Sequence, residues 1–242
     1  MAVLRICLWS GPRNVSTALM YSFAERSDTR VVDEPLYGHY LRVSGVEHPG
    51  REEVLANTDT DGERVVRDVV LGDCDRPVLF MKHMAHHLVD IERGFLNRTV
   101  NVFLIRNPRD VLTSLAHQLA EPTLVDTGLA VQSALVRDLE EDGGSVPVLD
   151  SRELLLDPGS VLGKLCEQID LPYDPEMLSW QAGPRPEDGI WAPHWYENVH
   201  RSTGFRPYRD KTEPLPERLV SVLDECQPHY DFLYARAIRA VA

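Results

Sequence analysis

The junction at residues 3–23, where a strand pattern turns into a helix pattern, most constrains what this chain can fold into. Val3-Leu4-Arg5-Ile6-Cys7-Leu8-Trp9 is short and mostly apolar, as a buried strand is. From Ser16 onward, Ala18, Leu19, Tyr21, Ser22 and Phe23 are spaced as on a helix that packs against a sheet. The turn between them reads Ser10-Gly11-Pro12-Arg13-Asn14-Val15. Free backbone N–H groups at the helix start, the hydroxyls of Ser16 and Thr17 and the Arg13 guanidinium converge there, which predicts a phosphate site. A plain helix cap by Ser16 or Thr17 is the competing reading. The nucleotide-triphosphatase loop needs a Lys followed by a metal-holding Ser or Thr, and Thr17 and Ala18 stand in those places. Nucleotide binding is therefore expected and ATP hydrolysis is not.

Further strand patterns lie at 30–33, 77–81, 100–105 and 146–149, and helical spacing fills 52–56, 62–71, 88–95, 110–119, 129–139 and 160–169. The alternation predicts an α/β fold of three layers, a central parallel sheet of about five strands flanked by helices. With 242 residues, 43% of them hydrophobic and 26% charged, the chain can bury one substantial core, so a single domain over 1–242 is expected. No repeat or linker interrupts it, and the aromatic-rich stretch 183–207 reads as a long active-site loop.

A net charge of -13 opposes nucleic acid or an anionic membrane as general partners, so any anion site must be local. Cys7, Cys74, Cys166 and Cys226 have no metal-ligand spacing and read as reduced thiols. No leader pattern opens the sequence and no apolar run approaches the roughly 20 residues that span a bilayer. The expectation is an unanchored cytoplasmic protein.

Ligands of such sheets bind beyond the carboxyl ends of the strands. There the sequence places Glu34-Pro35, then Lys82-His83, then Arg106-Asn107-Pro108-Arg109-Asp110 leading into a helix that carries Ser114, and last Asp150-Ser151-Arg152. Arg106 at a strand end and Ser114 two turns into the next helix can grip one phosphate together, which predicts a second anion site. Two such sites suit a nucleotide with phosphates at its 5′ and 3′ positions.

At this point the sequence resembles the sulfotransferases, a family with a P-loop-like fold. Their 5′-phosphosulfate loop often reads Pro-Arg-x-x-Ser-Thr, matched by Pro12, Arg13, Ser16 and Thr17, with Asn14 and Val15 between. Their 3′-phosphate motif is matched by Arg106, Pro108 and Ser114, and 150–178 is similar to their helical segment after the last central strand. His200-Arg201-Ser202-Thr203-Gly204-Phe205 resembles, loosely, the loop that closes over the 3′-phosphate, so Arg201, Ser202, Thr203 and Gly204 join the candidate nucleotide contacts. The resemblance covers roughly residues 3 to 180. Val15 departs from it where relatives often have Gly, and Asp150-Ser151-Arg152 replaces the commoner Arg-Tyr-Glu.

What the resemblance implies is metal-independent, in-line transfer of a sulfuryl group from 3′-phosphoadenosine 5′-phosphosulfate to a hydroxyl or amine of a small-molecule acceptor, leaving adenosine 3′,5′-bisphosphate. Arg13 would neutralise the leaving phosphate, and Lys82 would contact the bridging oxygen or the sulfuryl group. Glu34 and His83 compete as the general base, Glu34 being preferred; if Lys82 matches the family lysine, Met84 rather than His83 falls at the family histidine. His86 and His87 are given no role. A non-catalytic binder of the bisphosphate and a P-loop kinase are the alternatives, the kinase disfavoured by the missing Lys.

Overall fold

The computed structural model describes residues 2–241. Among these, six strands, β1 (Leu4–Ser10), β2 (Thr29–Asp33), β3 (Val78–Met84), β4 (Val100–Ile105), β5 (Val148–Asp150) and β6 (Ala237–Ile238), form one sheet in the order β2-β3-β1-β4-β5-β6. The pairs β2·β3, β4·β5 and β5·β6 are parallel. The helices of the first hundred residues are α1 (Ser16–Ala24), α2 (Tyr37–Ser44), α3 (Arg51–Asn57) and α4 (Gly62–Val65). They are followed by α5 (Pro108–Leu115), α6 (Leu124–Thr127), α7 (Leu129–Glu141), α8 (Ser151–Leu156), α9 (Pro158–Gln168), α10 (Ala192–Trp195), α11 (Glu197–His200) and α12 (Val220–Tyr234). The α/β class read from the alternation is the observed one.

Contacts divide the chain into two compact units. The first holds the chain up to Leu8 together with Ser16–Val100 and Asp174–Phe205; the second holds Trp9–Val15, Asn101–Tyr173 and the chain from Arg206 on. In the first, α1 packs on β2 and β3, and its Phe23 ring stacks on Phe80 of β3 with centroids 4.1 Å apart. A separate buried cluster joins Tyr37 and Leu41 of α2, Val54 of α3, and Trp191 and Tyr196. In the second, α12 packs on α5, α7 and β5, and α9 packs on β6.

Local chemistry sets where the elements of the second unit begin. Asn107 caps α5 by accepting from the Arg109 N–H at 3.0 Å, and Pro108 supplies the first helical φ. Val111, Leu112 and Leu115 then face the core at helical spacing. Asp150, fully buried at the end of β5, caps α8 through the N–H groups of Arg152 and Glu153 and accepts from Tyr230 Oη at 3.1 Å.

Four expectations are corrected. The sheet has six strands rather than about five, because β6 is a two-residue strand with no periodicity to read. β3 runs to Met84, so Lys82 and His83 lie within the strand instead of after it, and successive side chains point to opposite faces. Helical spacing over 88–95 does not give an α-helix: Asp90 takes φ 49°, which breaks the helix, and only 3₁₀ turns at Ala85–His87 and Arg93–Arg98 form. The pattern at 62–71 splits into α4 and a π-helical turn, Val66–Val70. No helix among the described residues is long and apolar enough to cross a membrane.

Candidate active site

In the second unit the turn after β1 is held by its own polar groups. Asn14 donates to Leu104 O at 3.1 Å and accepts from the Val15 N–H at 2.8 Å, which pins the turn to β4. Gly11 is required, since a Cβ there would lie 2.2 Å from Thr127 O. The left-handed position of the turn falls on Arg13, at φ 58°, and not on Val15, so a β-branched residue where relatives have Gly is accommodated without strain. Pro12 and Val15 are half-buried, and Ser16 and Thr17 are the first residues of α1.

The two predicted phosphate groups are one hydrogen-bonded cluster. Arg13 Nε donates to Ser114 Oγ at 2.8 Å, Arg106 Nη1 donates to the Arg13 carbonyl, and Arg106 lies 3.7 Å from Asp110. Half-burial and the Arg106 charge hold the Arg13 guanidinium below its ordinary pKa, and burial together with Arg106 does the same to Lys211. Cations that disfavour one another in a chain of net charge -13 gain stability from a bound anion. Beside them lies a cavity of 280 Å³ whose lining includes Arg106, Arg109, Arg152 and Lys211 against Asp110 and Asp210. That is below the roughly 300–1,000 Å³ of a whole small-molecule site, and it suits the phosphate-bearing portion of a nucleotide.

Arg152 stands at the end of the fifth strand pattern, whereas Lys211 and Tyr208 are absent from the sequence reading. The signal for these two is the run Arg206-Pro207-Tyr208-Arg209-Asp210-Lys211, basic residues around one aromatic, directly after residues 200–205. Arg152 sits over the Tyr208 ring at 5.5 Å.

Residues 200–205 lie in the first unit. Arg201 is exposed and pairs with Glu197 at 2.6 Å, one turn back. Ser202 is buried, donating to Val199 O at 2.7 Å and accepting from Trp180 Nε1 at 3.1 Å. The Thr203 carbonyl accepts from the Trp180 N–H, and Gly204 forms a bridge to Ser179.

The first unit also contains a buried ionic cluster that the register of the sheet builds. Asp33 and Lys82 are partners across β2 and β3, and both are buried. Lys82 Nζ donates to Asp33 Oδ1 at 2.8 Å, to Glu34 Oε1 at 2.6 Å and to Tyr196 Oη at 2.5 Å, which uses all its N–H groups. Tyr196 donates in turn to Asp33 Oδ2 at 2.7 Å and accepts from Trp191 Nε1 at 3.2 Å. Glu34 reaches this point because the chain turns sharply after β2: its φ is 38°, and it precedes Pro35, a neighbour that already restricts its backbone. A non-glycine residue there costs about 1–3 kcal/mol, which the surrounding bonds offset.

Burial, opposed by Lys82 and reinforced by Asp33, pushes the Glu34 carboxyl above its usual pKa. The same two carboxylates outweigh burial at Lys82 and raise its pKa well above 10.5. His83, on the other face of β3, is buried and held down to about 3 by desolvation and by Lys82. Because its folded pKa lies below the unfolded value of 6.5, the unfolded chain binds the extra proton between those values, and stability falls as pH drops from 6.5 toward 3. Acidification to pH 4 should thus remove about 3 kcal/mol through His83 alone. Urea titrations of the wild type and His83→Gln at neutral and acid pH check this; equal acid sensitivity would contradict it.

Among the described residues no group of three or more His, Cys, Asp or Glu could hold a metal ion. The family model described as "Sulfotransferase domain" matches residues 4–237. The sulfotransferase domain from the curacin biosynthetic pathway superposes with a TM-score of 0.58 at 16% identity, covering 93% of this chain and 98% of that one. A sulfotransferase from Alicyclobacillus acidocaldarius gives 0.56 at 13% identity, with 100% and 98% covered. At those identities the likeness is one of fold. Two curated relatives from Arabidopsis thaliana, branched-chain-amino-acid aminotransferase-like proteins 1 and 2, are 39% and 38% identical over 226 residues. Those residues are 93% of this chain and 40% of each relative, so the chain spans well under half their length. With a match that runs from β1 to β6, the chain belongs to the sulfotransferase domain family.

Proposed function

We propose that the protein is a sulfotransferase that uses 3′-phosphoadenosine 5′-phosphosulfate as donor and a hydroxyl, or an amine, of a small molecule as acceptor, without a metal. The observation that carries this is the Arg13–Ser114–Arg106 cluster, two adjacent guanidinium groups inside an acidic protein. The donor supplies an activated sulfuryl group, and the chain supplies positioning and charge. Arg106, Ser114 and Lys211 hold the 3′-phosphate. Arg13, with the turn amides, Ser16 and Thr17, holds the 5′-phosphate and neutralises the charge that builds on its leaving oxygen. We place the enzyme in the cytoplasm, in keeping with its four free thiols, Cys7, Cys74, Cys166 and Cys226.

Glu34 is the general base in this reading. Its carboxyl is a stronger base than usual, whereas His83 at about 3 is too weak to take a hydroxyl proton near neutrality. Lys82 keeps Glu34 ionised and oriented, since its N–H groups are all engaged, and it is not assigned to the sulfuryl group. As the acceptor oxygen bonds to sulfur, the bond from sulfur to the phosphate oxygen breaks, its electron pair stays on the phosphate, and the hydroxyl proton passes to Glu34. The aminotransferase-like name of the Arabidopsis relatives belongs to chains much longer than this one and enters no step here.

The test is thermal stabilisation by adenosine 3′,5′-bisphosphate beside ADP and AMP, with and without magnesium. At a hundredfold excess over Kd the bisphosphate should add about 2.7 kcal/mol, or roughly 5–10 °C in Tm for a chain of this size. Arg106→Ala should weaken its binding about 10- to 100-fold, the effect of a lost bond to a charged group. A magnesium-dependent preference for ADP would overturn the reading in favour of a kinase. Tight binding of the bisphosphate with no turnover would favour a non-catalytic binder.

A further inference from the structure

Three observations meet at His87, a residue that the mechanism above leaves idle. Its ring is buried, and its Nδ1 makes no hydrogen bond in the structure. Such an atom costs about 1–3 kcal/mol unless something occupies the space before it. The ring cannot turn away from that position, because it stacks on Tyr37 at 5.0 Å and 10° and on Tyr40 at 4.5 Å and 23°, with His86 edge-on at 4.7 Å. Tyr37 and Tyr40 are three apart on α2 and so present their rings on one side of it.

Nδ1 lies close to the second carboxylate oxygen of the proposed base. Glu34 Oε1 is held by Lys82 at 2.6 Å, and Glu34 Oε2 lies 3.8 Å from His87 Nδ1. That gap is too long for a direct hydrogen bond. One oxygen placed about 2.8 Å from each atom closes it at an angle near 85°.

We propose that Glu34 Oε2 and His87 Nδ1 together form the seat of the acceptor's hydroxyl group, with water in that seat when no acceptor is bound. The hydroxyl donates to the carboxylate and accepts from an Nδ1–H of the imidazole. A carboxylate oxygen nearby selects that tautomer. Burial and the neighbouring His86, His48, His83 and Lys82 keep His87 neutral, so it orients the oxygen without competing for its proton. The hydroxyl proton leaves toward Glu34, and the oxygen lone pair not held by His87 is the one that bonds to sulfur. Asp33 and Glu34 against Lys82 leave the cluster with one net negative charge, which selects a neutral or cationic alcohol over an acidic one.

The proposal rests on the sulfotransferase reading, and its experiment separates the two. A crystal structure of the complex with adenosine 3′,5′-bisphosphate should show an ordered oxygen within about 3.2 Å of both Glu34 Oε2 and His87 Nδ1. His87→Asn, whose amide nitrogen replaces Nδ1, should keep that oxygen, and His87→Phe, which keeps the stacking, should lose it. With an acceptor from a screen of small alcohols, His87→Phe should lower kcat/KM for the acceptor about tenfold and His87→Asn should restore most of it, with the bisphosphate Kd unchanged in both. Failure of the bisphosphate to bind would remove the underlying reading. Binding with no oxygen in the seat, or with the Phe and Asn variants alike in acceptor kinetics, would overturn this proposal alone.

Discussion

Lys82→Met should destabilise the protein by about 3–5 kcal/mol, the range for breaking a buried ion pair by removing one partner. The side chain is 2% exposed, and methionine matches its length, so lost packing contributes little. What remains is the charge. Asp33 keeps its bonds from Tyr196 Oη and the Gly189 N–H, but Glu34 loses the ammonium that opposes its desolvation. The pH dependence follows in sign. In the variant the Glu34 carboxyl loses the charge that opposes its burial and stays raised above its unfolded value, so the folded state binds more protons than the unfolded one, and stability is regained as pH falls. The wild type loses stability in the same direction, but at the alkaline end: Lys82 is raised, so its contribution is complete below 10.5 and is lost as pH climbs through the higher folded value. Urea unfolding of Lys82→Met, Glu34→Gln and the double variant measures the coupling. The double variant should recover at least half of the loss, and strict additivity of the two single changes would mean that the groups do not interact as described. If the single variant does not fold, the double variant at low pH still reports the recovery.

The sequence made the fold class legible because a parallel sheet leaves a coarse signature, apolar runs of strand length separated by helical spacing. Its errors cluster where polar residues enter strands. The apolar run of β3 stops at Met81, where Lys82 and His83 interrupt it, yet both are buried in the strand, Lys82 by virtue of two carboxylates that no local pattern reveals. Tyr196 lies 163 residues from Asp33, and only the fold brings its hydroxyl to that carboxylate. The anion cluster is easier: Arg13 and Arg106 each follow a strand, a position that topology alone assigns to ligand binding, and Ser114 lies two turns into the helix that Arg106 leads into. Lys211 escaped because its segment has no regular structure, so its placement depends on contacts such as its bond to the Asp110 carbonyl at 3.1 Å. His87, to which the sequence assigns no role, packs against two tyrosines, and its place beside Glu34 depends on a contact that no local pattern reveals.

Glu34→Gln should lower kcat by about 10²–10⁴, the contribution of a positioned general base, while the Kd for adenosine 3′,5′-bisphosphate stays within about twofold. Glutamine keeps the shape and can still accept from Lys82 Nζ, so the loss isolates the proton-accepting function. His83→Gln is the internal comparison. A histidine held at about 3 is neutral and nearly non-basic throughout the working range, so that change should leave kcat within about threefold once the variant's stability is accounted for. The pH profile separates the two further. With Glu34 raised above the ordinary carboxylate range, the acid limb of kcat/KM should lie above 4.5 and disappear in Glu34→Gln. A profile governed by His83 would instead place that limb near 3 and survive the Glu34 change. Release of adenosine 3′,5′-bisphosphate from the donor, followed with an acceptor from the alcohol screen, supplies both measurements. Full activity in Glu34→Gln would remove it as the base and return His83 to consideration, despite the cost of protonating an imidazole so deeply buried.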